Sequence, residues 1–342
     1  MGYFLVLFNW IIFIIEVSRT ISSVVRELSS YMISFVRPPL PKDMKDKVVV
    51  VTGAATRLGS EISHRFARLG AQVIMLDVDE EANLQAANEL RRMGNKKVFS
   101  FPCDVTVDAQ VSAVAAKILK FFGRVDILVH NATWWEPTAV SPLIQSPSEA
   151  IHRTINVNLL SHFWMTRAFL PSMIERRSGH VVAISSPSGL IGNSARFSSF
   201  CASQHAIVGA MSALAAELEA YPSIKLCIAC CPVTVVTATT DTSTVTTHRL
   251  RLPSAIRRLL GLELPTLREQ AAVLVDGIRS DKEYVVVPKG FVLLQFLEQL
   301  LSQKLSKFAR EMLLLEKVSS PLAVTSAVAA SSSRVTNGNS CH

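Results

Sequence analysis

The sequence predicts a doubly wound α/β fold, a parallel sheet covered by helices on both faces. Three observations predict it. Short β-branched runs alternate with helical segments from Lys47 onward, and such alternation demands right-handed crossovers and a parallel sheet. A glycine-bearing turn, Thr52-Gly53-Ala54-Ala55-Thr56-Arg57-Leu58-Gly59, joins the first run to the first helix. Asp77 closes the second run, at the crevice that opens beyond the carboxyl ends of such strands.

The elements follow in order. Val48–Val51 reads as a buried strand, and a helix runs from the glycine turn through Leu69. Val73–Leu76 is the second strand and Glu80–Met93 the next helix. Lys97–Phe101, Val125–His130, Gly179–Ser185, Ile224–Cys230 and Tyr284–Val287 read as the remaining strands. Between them, Val107–Phe122, Ala150–Ile174 and Cys201–Ala220 carry helical periodicity. The stretch Thr234–Thr247 is Thr-rich and suits a loop. Gly290–Leu315 reads as an amphipathic helix, with Phe291, Leu294, Leu297, Leu301 and Leu305 on one stripe.

The 342 residues divide into five segments: 1–36, 37–46, 47–289, 290–317 and 318–342. The first is an anchor. Tyr3–Ile15 is almost continuously apolar, though shorter than the ~20 residues that comfortably span a bilayer. Val17, Ile21, Val24, Leu28, Met32 and Phe35 then recur at helical spacing, which fits an uncleaved anchor, a shallow hairpin or an interfacial helix. A helix packed on the protein's own core is the alternative. Basic residues after the apolar run, from Arg19 to Lys47, place the main domain on the cytosolic side. Pro38, Pro39 and Pro41 make a stiff linker. The last segment, rich in Ser, Ala, Thr and Val, reads as a disordered tail.

Composition narrows the function. The chain is 49% hydrophobic and 18% charged with a net charge of +8, and its mean hydropathy is +0.32. No dense basic run is present, so nucleic acid is not expected as a partner. A basic surface near an anionic membrane leaflet fits the charge, as does an ordinary solvated surface. Six cysteines in a chain of this length do not make a disulfide framework. Cys227-x-x-Cys230-Cys231 has no second ligand pair and lies in a strand, so no metal is expected.

The glycine turn carries chemistry. Backbone N–H groups in such a turn approach a pyrophosphate at a helix N-terminus. Asp77, 24 residues after Gly53, can accept from both ribose hydroxyls, which favours NAD, with NADP as the alternative.

Five landmarks now stand in order: Thr52-Gly53 through Gly59, Cys103-Asp104-Val105, His130-Asn131-Ala132, Val157-Asn158-Leu159 and Ser185-Ser186. In these the chain resembles the short-chain dehydrogenase/reductase superfamily, which has a Rossmann-type fold. Asn158–Ser172 and the N-terminal segment look most like its membrane-associated retinol and 17-beta-hydroxysteroid dehydrogenase branch. That resemblance implies NAD(P), a retinoid- or steroid-type alcohol or ketone as substrate, and the endoplasmic reticulum membrane or a lipid droplet as location. It also implies a homodimer, or a heterodimer with a related dehydrogenase, through the two long helices. Carried over by position, Gly53, Arg57, Leu58, Gly59, Asp77, Asp104, Val105, Asn131 and Ala132 would line the cofactor cleft. Asn158 would kink the long helix and hold a relay water, and Ser186 would orient the substrate oxygen.

The pattern departs in several places. Arg57 stands at the usual middle glycine, as in a variant that resembles pteridine reductases, and could contact a cofactor phosphate. Thr133 and Val233 replace glycines. The largest departure is catalytic. The family's Tyr takes the carbinol proton while hydride leaves, and a Lys four residues later lowers the Tyr pKa and grips the ribose. Here Phe200-Cys201-Ala202-Ser203-Gln204 occupies that motif, 14 residues after Ser186. Phe200 lacks the titratable atom, while Gln204 can hydrogen-bond the ribose without charge. His205, Ser198, Ser199 and His130 offer no evident replacement base. Three functions therefore stay open: a scaffold with impaired or absent catalysis, an active oxidoreductase with a non-standard proton relay, and a non-catalytic lipid-surface or dimer-partner protein.

Overall fold

The computed structural model describes residues 10–23, 25, 26, 29, 40–134, 143–190, 197–232, 258 and 260–292. Seven strands form one sheet: β1 (Val48–Thr52), β2 (Gln72–Asp77), β3 (Val98–Pro102), β4 (Ile127–His130), β5 (Gly179–Ser185), β6 (Ile224–Cys230) and β7 (Tyr284–Val286). Their order is β3-β2-β1-β4-β5-β6-β7, and every pairing is parallel. The order reverses between β1 and β4, so a crevice opens there at the carboxyl ends of the strands.

The β-branched runs are explained by burial on both faces. In β1, Val49 and Val51 enter one core while Val48 and Val50 enter the other, and all four are at most 1% exposed. One face is covered by α1 (Arg57–Arg68), α2 (Glu80–Arg92) and α7 (Leu267–Arg279). The other carries α3 (Asp108–Phe122), α5 (Ser161–Glu175) and α6 (Ser198–Glu217), with α4 (Ser148–Ile155) packed on α6.

The long helix expected over Ala150–Ile174 is not continuous α-helix. Between α4 and α5, Asn156–Leu160 forms a π-helical turn, the wide-turn distortion that recurs at functional sites. The cysteine cluster is split by strand geometry: Cys227 and Cys231 point into one core and Cys230 into the other. Burial pushes the Cys227 and Cys230 thiols up to about 12 and Cys103 up to about 11, so these thiols stay protonated.

Within the segment expected as linker, residues 42–46 contact the domain. The Lys42 N–H donates to the Arg279 carbonyl at 2.8 Å, and Arg279 Nε returns a bond to the Lys42 carbonyl at 3.0 Å. Lys42 Nζ pairs with Asp281 at 2.5 Å, and Met44 is 2% exposed within the core. This seam lies at the amino ends of the strands, opposite the crevice.

Residues 10–23 are helical. Their apolar side chains, Trp10, Phe13 and Ile14 among them, are exposed rather than packed on the domain. Among the described residues no helix is long and apolar enough to cross a membrane. The expectations for residues 1–9, Pro38 and Pro39, the Thr-rich stretch, Val233, the amphipathic helix beyond Val292 and the tail fall outside the described residues.

Candidate active site

The glycine turn begins where β1 ends. Gly53 adopts φ +61°, a conformation open to glycine at little cost. Thr56 caps α1, its Oγ1 accepting from the Gly59 N–H at 3.2 Å and donating to the Gly53 carbonyl at 2.7 Å. The N–H groups of Arg57 and Leu58 have no hydrogen-bond partner among the described residues. Two free donors at a helix N-terminus, reached over glycines, suit a pyrophosphate. Arg57 itself is exposed at the first helical position.

Asn131 holds this turn from β4. Its Nδ2 donates to the carbonyls of Thr52 at 3.0 Å and Gly53 at 2.9 Å. In return, Thr52 Oγ1 accepts from the N–H groups of Asn131 and Ala132, each at 3.1 Å. The Asn131 side chain is therefore a staple across the switch point, with its donors facing the turn and not the cleft. Asp77 is 9% exposed. Its carboxylate accepts from the Ala55 N–H at 2.9 Å and the Asp79 N–H at 3.1 Å, and each oxygen keeps capacity for a ribose hydroxyl. Asp104 folds onto its own loop, accepting from the Thr106 N–H at 2.9 Å and the Thr106 hydroxyl at 2.7 Å. Val105 beside it is buried.

On the other side of the crevice, the π turn aims Asn158 inward. Asn158 is fully buried. Its Oδ1 accepts from the Trp134 N–H at 2.6 Å, and its Nδ2 donates to the Trp134 carbonyl at 3.1 Å and to Ser203 Oγ at 3.0 Å. One side chain thus ties the loop after β4 to α6. The Arg153 guanidinium stacks over the Trp134 ring at 3.5 Å from its centroid, reinforcing that wall.

Phe200 and Gln204 occupy the first two turns of α6, 7% and 1% exposed. Gln204 turns its carboxamide inward, toward the end of β5. Its Oε1 accepts from the Ser186 N–H at 2.8 Å and from Ser185 Oγ at 3.3 Å. Ser186 Oγ accepts from the Ser188 N–H at 3.2 Å; its O–H has no acceptor among the described residues and can donate to a ligand.

His205 and His130, the two histidines near α6 and the crevice, are engaged elsewhere. His205 is exposed and its Nδ1 lies 3.0 Å from the Cys201 carbonyl, on its own helix. His130 lies beneath the crevice, stacked on His162 of α5 with ring centroids 4.6 Å apart. Burial holds both imidazoles neutral, His162 down to about 4 and His130 well below its ordinary value. Thr52, Thr56, Trp134, Ser185 and Ser203 hold the site together in roles that their motifs did not assign them. Thr52 and Thr56 flank Gly53, and a turn with hydroxyls at both ends was a usable signal. The others depend on contacts distant in the chain.

A family model for short chain dehydrogenases matches residues 47–247. The chain belongs to the short-chain dehydrogenase/reductase family. It is 31% identical to short-chain dehydrogenase/reductase family 16C member 6 of Bos taurus over 266 residues, covering 78% of this chain and 79% of that protein. Epidermal retinol dehydrogenase 2 of Mus musculus is 31% identical over 295 residues, covering 85% and 88%. The human 17-beta-hydroxysteroid dehydrogenase 13 is 27% identical over 301 residues, covering 87% and 94%. A short-chain dehydrogenase/reductase from Burkholderia phymatum, solved with NAD, superposes with a TM-score of 0.62 at 22% identity. It covers 75% of this chain and 94% of its own. These likenesses agree with the expected retinol and hydroxysteroid dehydrogenase branch. As a short-chain dehydrogenase/reductase the chain is an oxidoreductase scaffold.

Proposed function

We propose that this protein binds a nicotinamide dinucleotide and a lipophilic alcohol or ketone of retinoid or steroid type, with hydride transfer impaired or absent. The observation that carries this reading is the pairing of an assembled cofactor turn with a phenyl ring at Phe200. The dinucleotide, when bound, supplies a hydride donor or acceptor. Arg57 and Leu58 N–H groups would hold its pyrophosphate and Asp77 its adenosine ribose. Ser186 would donate to the substrate oxygen. The carbinol proton then has no base to receive it, because Phe200 carries no ionisable atom and Gln204 carries no charge. Removing a positioned acid/base costs about 10²–10⁴ in rate.

The exposed apolar helix over residues 10–23 supports attachment to the endoplasmic reticulum membrane or a lipid droplet. The names of the relatives, which include retinol and hydroxysteroid dehydrogenases, support the substrate class. Pairing through α5 and α6, with itself or an active relative, would let the protein serve as a partner.

The test is a parallel assay against mouse epidermal retinol dehydrogenase 2. The purified chain is expected to bind NADH, read as energy transfer from tryptophan, and to oxidise retinol at least ~100-fold more slowly. Turnover within tenfold of that enzyme would overturn the impaired-catalysis reading in favour of an alternative relay through Ser186. Absence of NADH binding would overturn the cofactor reading.

Asp77 also makes a specificity prediction. A 2′-phosphate beside its carboxylate meets a like charge, so NADH is expected to bind better than NADPH. Asp77→Asn should narrow that preference by about tenfold, since a lost like-charge contact is worth roughly 1.4 kcal/mol. Equal affinities for both dinucleotides in the unmodified chain would refute the assignment.

A further inference from the structure

We infer that Gln204 is a positioning residue, holding Ser186 in place by accepting a bond that the family's Lys cannot accept. This rests on the binding reading above and deepens it.

The geometry is an interlock between α6 and the end of β5. The Gln204 carboxamide oxygen takes the Ser186 N–H at 2.8 Å, and its backbone carbonyl takes the Ser185 hydroxyl at 3.2 Å. Gln204 Nε2 lies 3.5 Å from Ser203 Oγ, the hydroxyl that receives Asn158 Nδ2 at 3.0 Å. The seam is tight enough to require glycine. A β-carbon on Gly189 would sit 2.6 Å from the Gln204 carbonyl oxygen and 2.7 Å from Ser185 Oγ. The chain therefore turns past Gln204 directly after Ser186.

The chemistry of the two side chains decides the role. A Lys ammonium has three donors and no acceptor, whereas a carboxamide has both. Ser186 is 5% exposed and Gln204 1%, so the Ser186 N–H has no water to turn to, and a buried orphaned donor is penalised. The Ser186 backbone fixes where its hydroxyl points, and that hydroxyl is the donor left for a ligand oxygen. Gln204 thus contributes to binding through Ser186 without touching the ligand. Among the described residues, the side chains bonded around Gln204 are neutral: Ser185, Ser186, Ser203 and, through Ser203, Asn158.

The test uses the full-length chain with three substitutions of similar length. Gln204→Met removes the acceptor, Gln204→Lys leaves only donors, and Gln204→Glu keeps an acceptor. Backbone hydrogen exchange is followed by mass spectrometry in the peptide holding Ser185–Ser188, and affinity for all-trans-retinol by its fluorescence. In the Met and Lys variants, exchange at that peptide is expected to rise about tenfold or more, the scale of one lost buried bond. Retinol affinity should fall by a similar factor. The Glu variant should restore slow exchange, with retinol affinity that varies between pH 5 and 8 where the unmodified chain is flat. Ser186→Ala combined with Gln204→Met should bind retinol no more weakly than Ser186→Ala alone, as expected for residues acting as a unit.

Unchanged exchange at Ser185–Ser188 in both the Met and Lys variants would overturn the inference. So would faster exchange spread evenly over β5 and α6 with no recovery in the Glu variant. If no form binds retinol, the substrate reading fails, while the exchange data still judge Gln204 by themselves.

Discussion

Gly59→Ala is expected to abolish NADH binding at concentrations at least 100-fold above those that saturate the unmodified chain. A β-carbon at Gly59 would lie 2.7 Å from Asn131 Nδ2 and 2.9 Å from the Ala54 α-carbon, and closer still to the Gly53 carbonyl oxygen. Two of these three atoms are backbone, and the third belongs to the staple that satisfies the Thr52 and Gly53 carbonyls. The methyl cannot be accommodated by a side-chain rotation. Either the turn moves, tilting the Arg57 and Leu58 N–H groups away from the phosphate, or Asn131 withdraws, and its buried Nδ2 loses its bonds to the Thr52 and Gly53 carbonyls. Overpacking of this kind costs about 1–3 kcal/mol, and an orphaned buried partner costs about as much again. Titration with NADH alongside a melting curve checks this: a melting temperature lowered by several degrees with binding gone is the expected pair. Retained binding would mean that the turn does not hold the phosphate.

Acid should destabilise the fold over a defined window. Burial depresses His162 and His180 to about 4, and His130 well below its ordinary value, where the burial cost is joined by the adjoining His162. Neither ring nitrogen of His162 has a hydrogen-bond partner among the described residues. His180 is 3.7 Å from Asp281, too far to offset its desolvation. The unfolded chain takes up these protons near pH 6.5 and the folded chain refuses them. The stability at issue is therefore complete above about 6.5 and is lost as the pH falls through about 4. A shift from 6.5 to about 4 corresponds to about 3 kcal/mol for each of His162 and His180. Two such losses are comparable with the whole stability of an ordinary domain. His162→Phe preserves the ring stack on His130 and should move the acid unfolding midpoint down by half a pH unit or more. Circular dichroism against pH would show it. An unmoved midpoint would mean that other groups govern acid unfolding.

The fold was legible because its signals are local and repeated. β1 opens with four consecutive valines, which a strand buried on both faces explains and little else does. The glycine turn and Asp77 mark their places through backbone geometry that sequence spacing records. The site was less legible where partners come from afar. Asn131 reads as a cleft residue until its carboxamide is seen to be spent on Thr52 and Gly53. The π turn at Asn156–Leu160 has no periodicity signal, because the reason for it is Asn158 reaching Trp134 and Ser203. Gln204 is the clearest case: an amide can face a ribose or a buried N–H, and only the position of Ser186 decides between them. The same limit hid the His130–His162 stack, since nothing in either sequence segment indicates that the rings meet.

The Lys42–Arg279 seam bears on mechanics. The two reciprocal bonds, one between backbones and one from the Arg279 side chain, join the incoming chain to the last turn of α7, and the Lys42–Asp281 pair secures the turn that follows. A pull on the N-terminus therefore loads this junction in shear and passes into the base of β7. The glycine turn, Asn158 and Gln204 lie at the far end of the strands, off that line of force. Tension on the leading segment would be dissipated in the foot of the domain before it could distort the cleft.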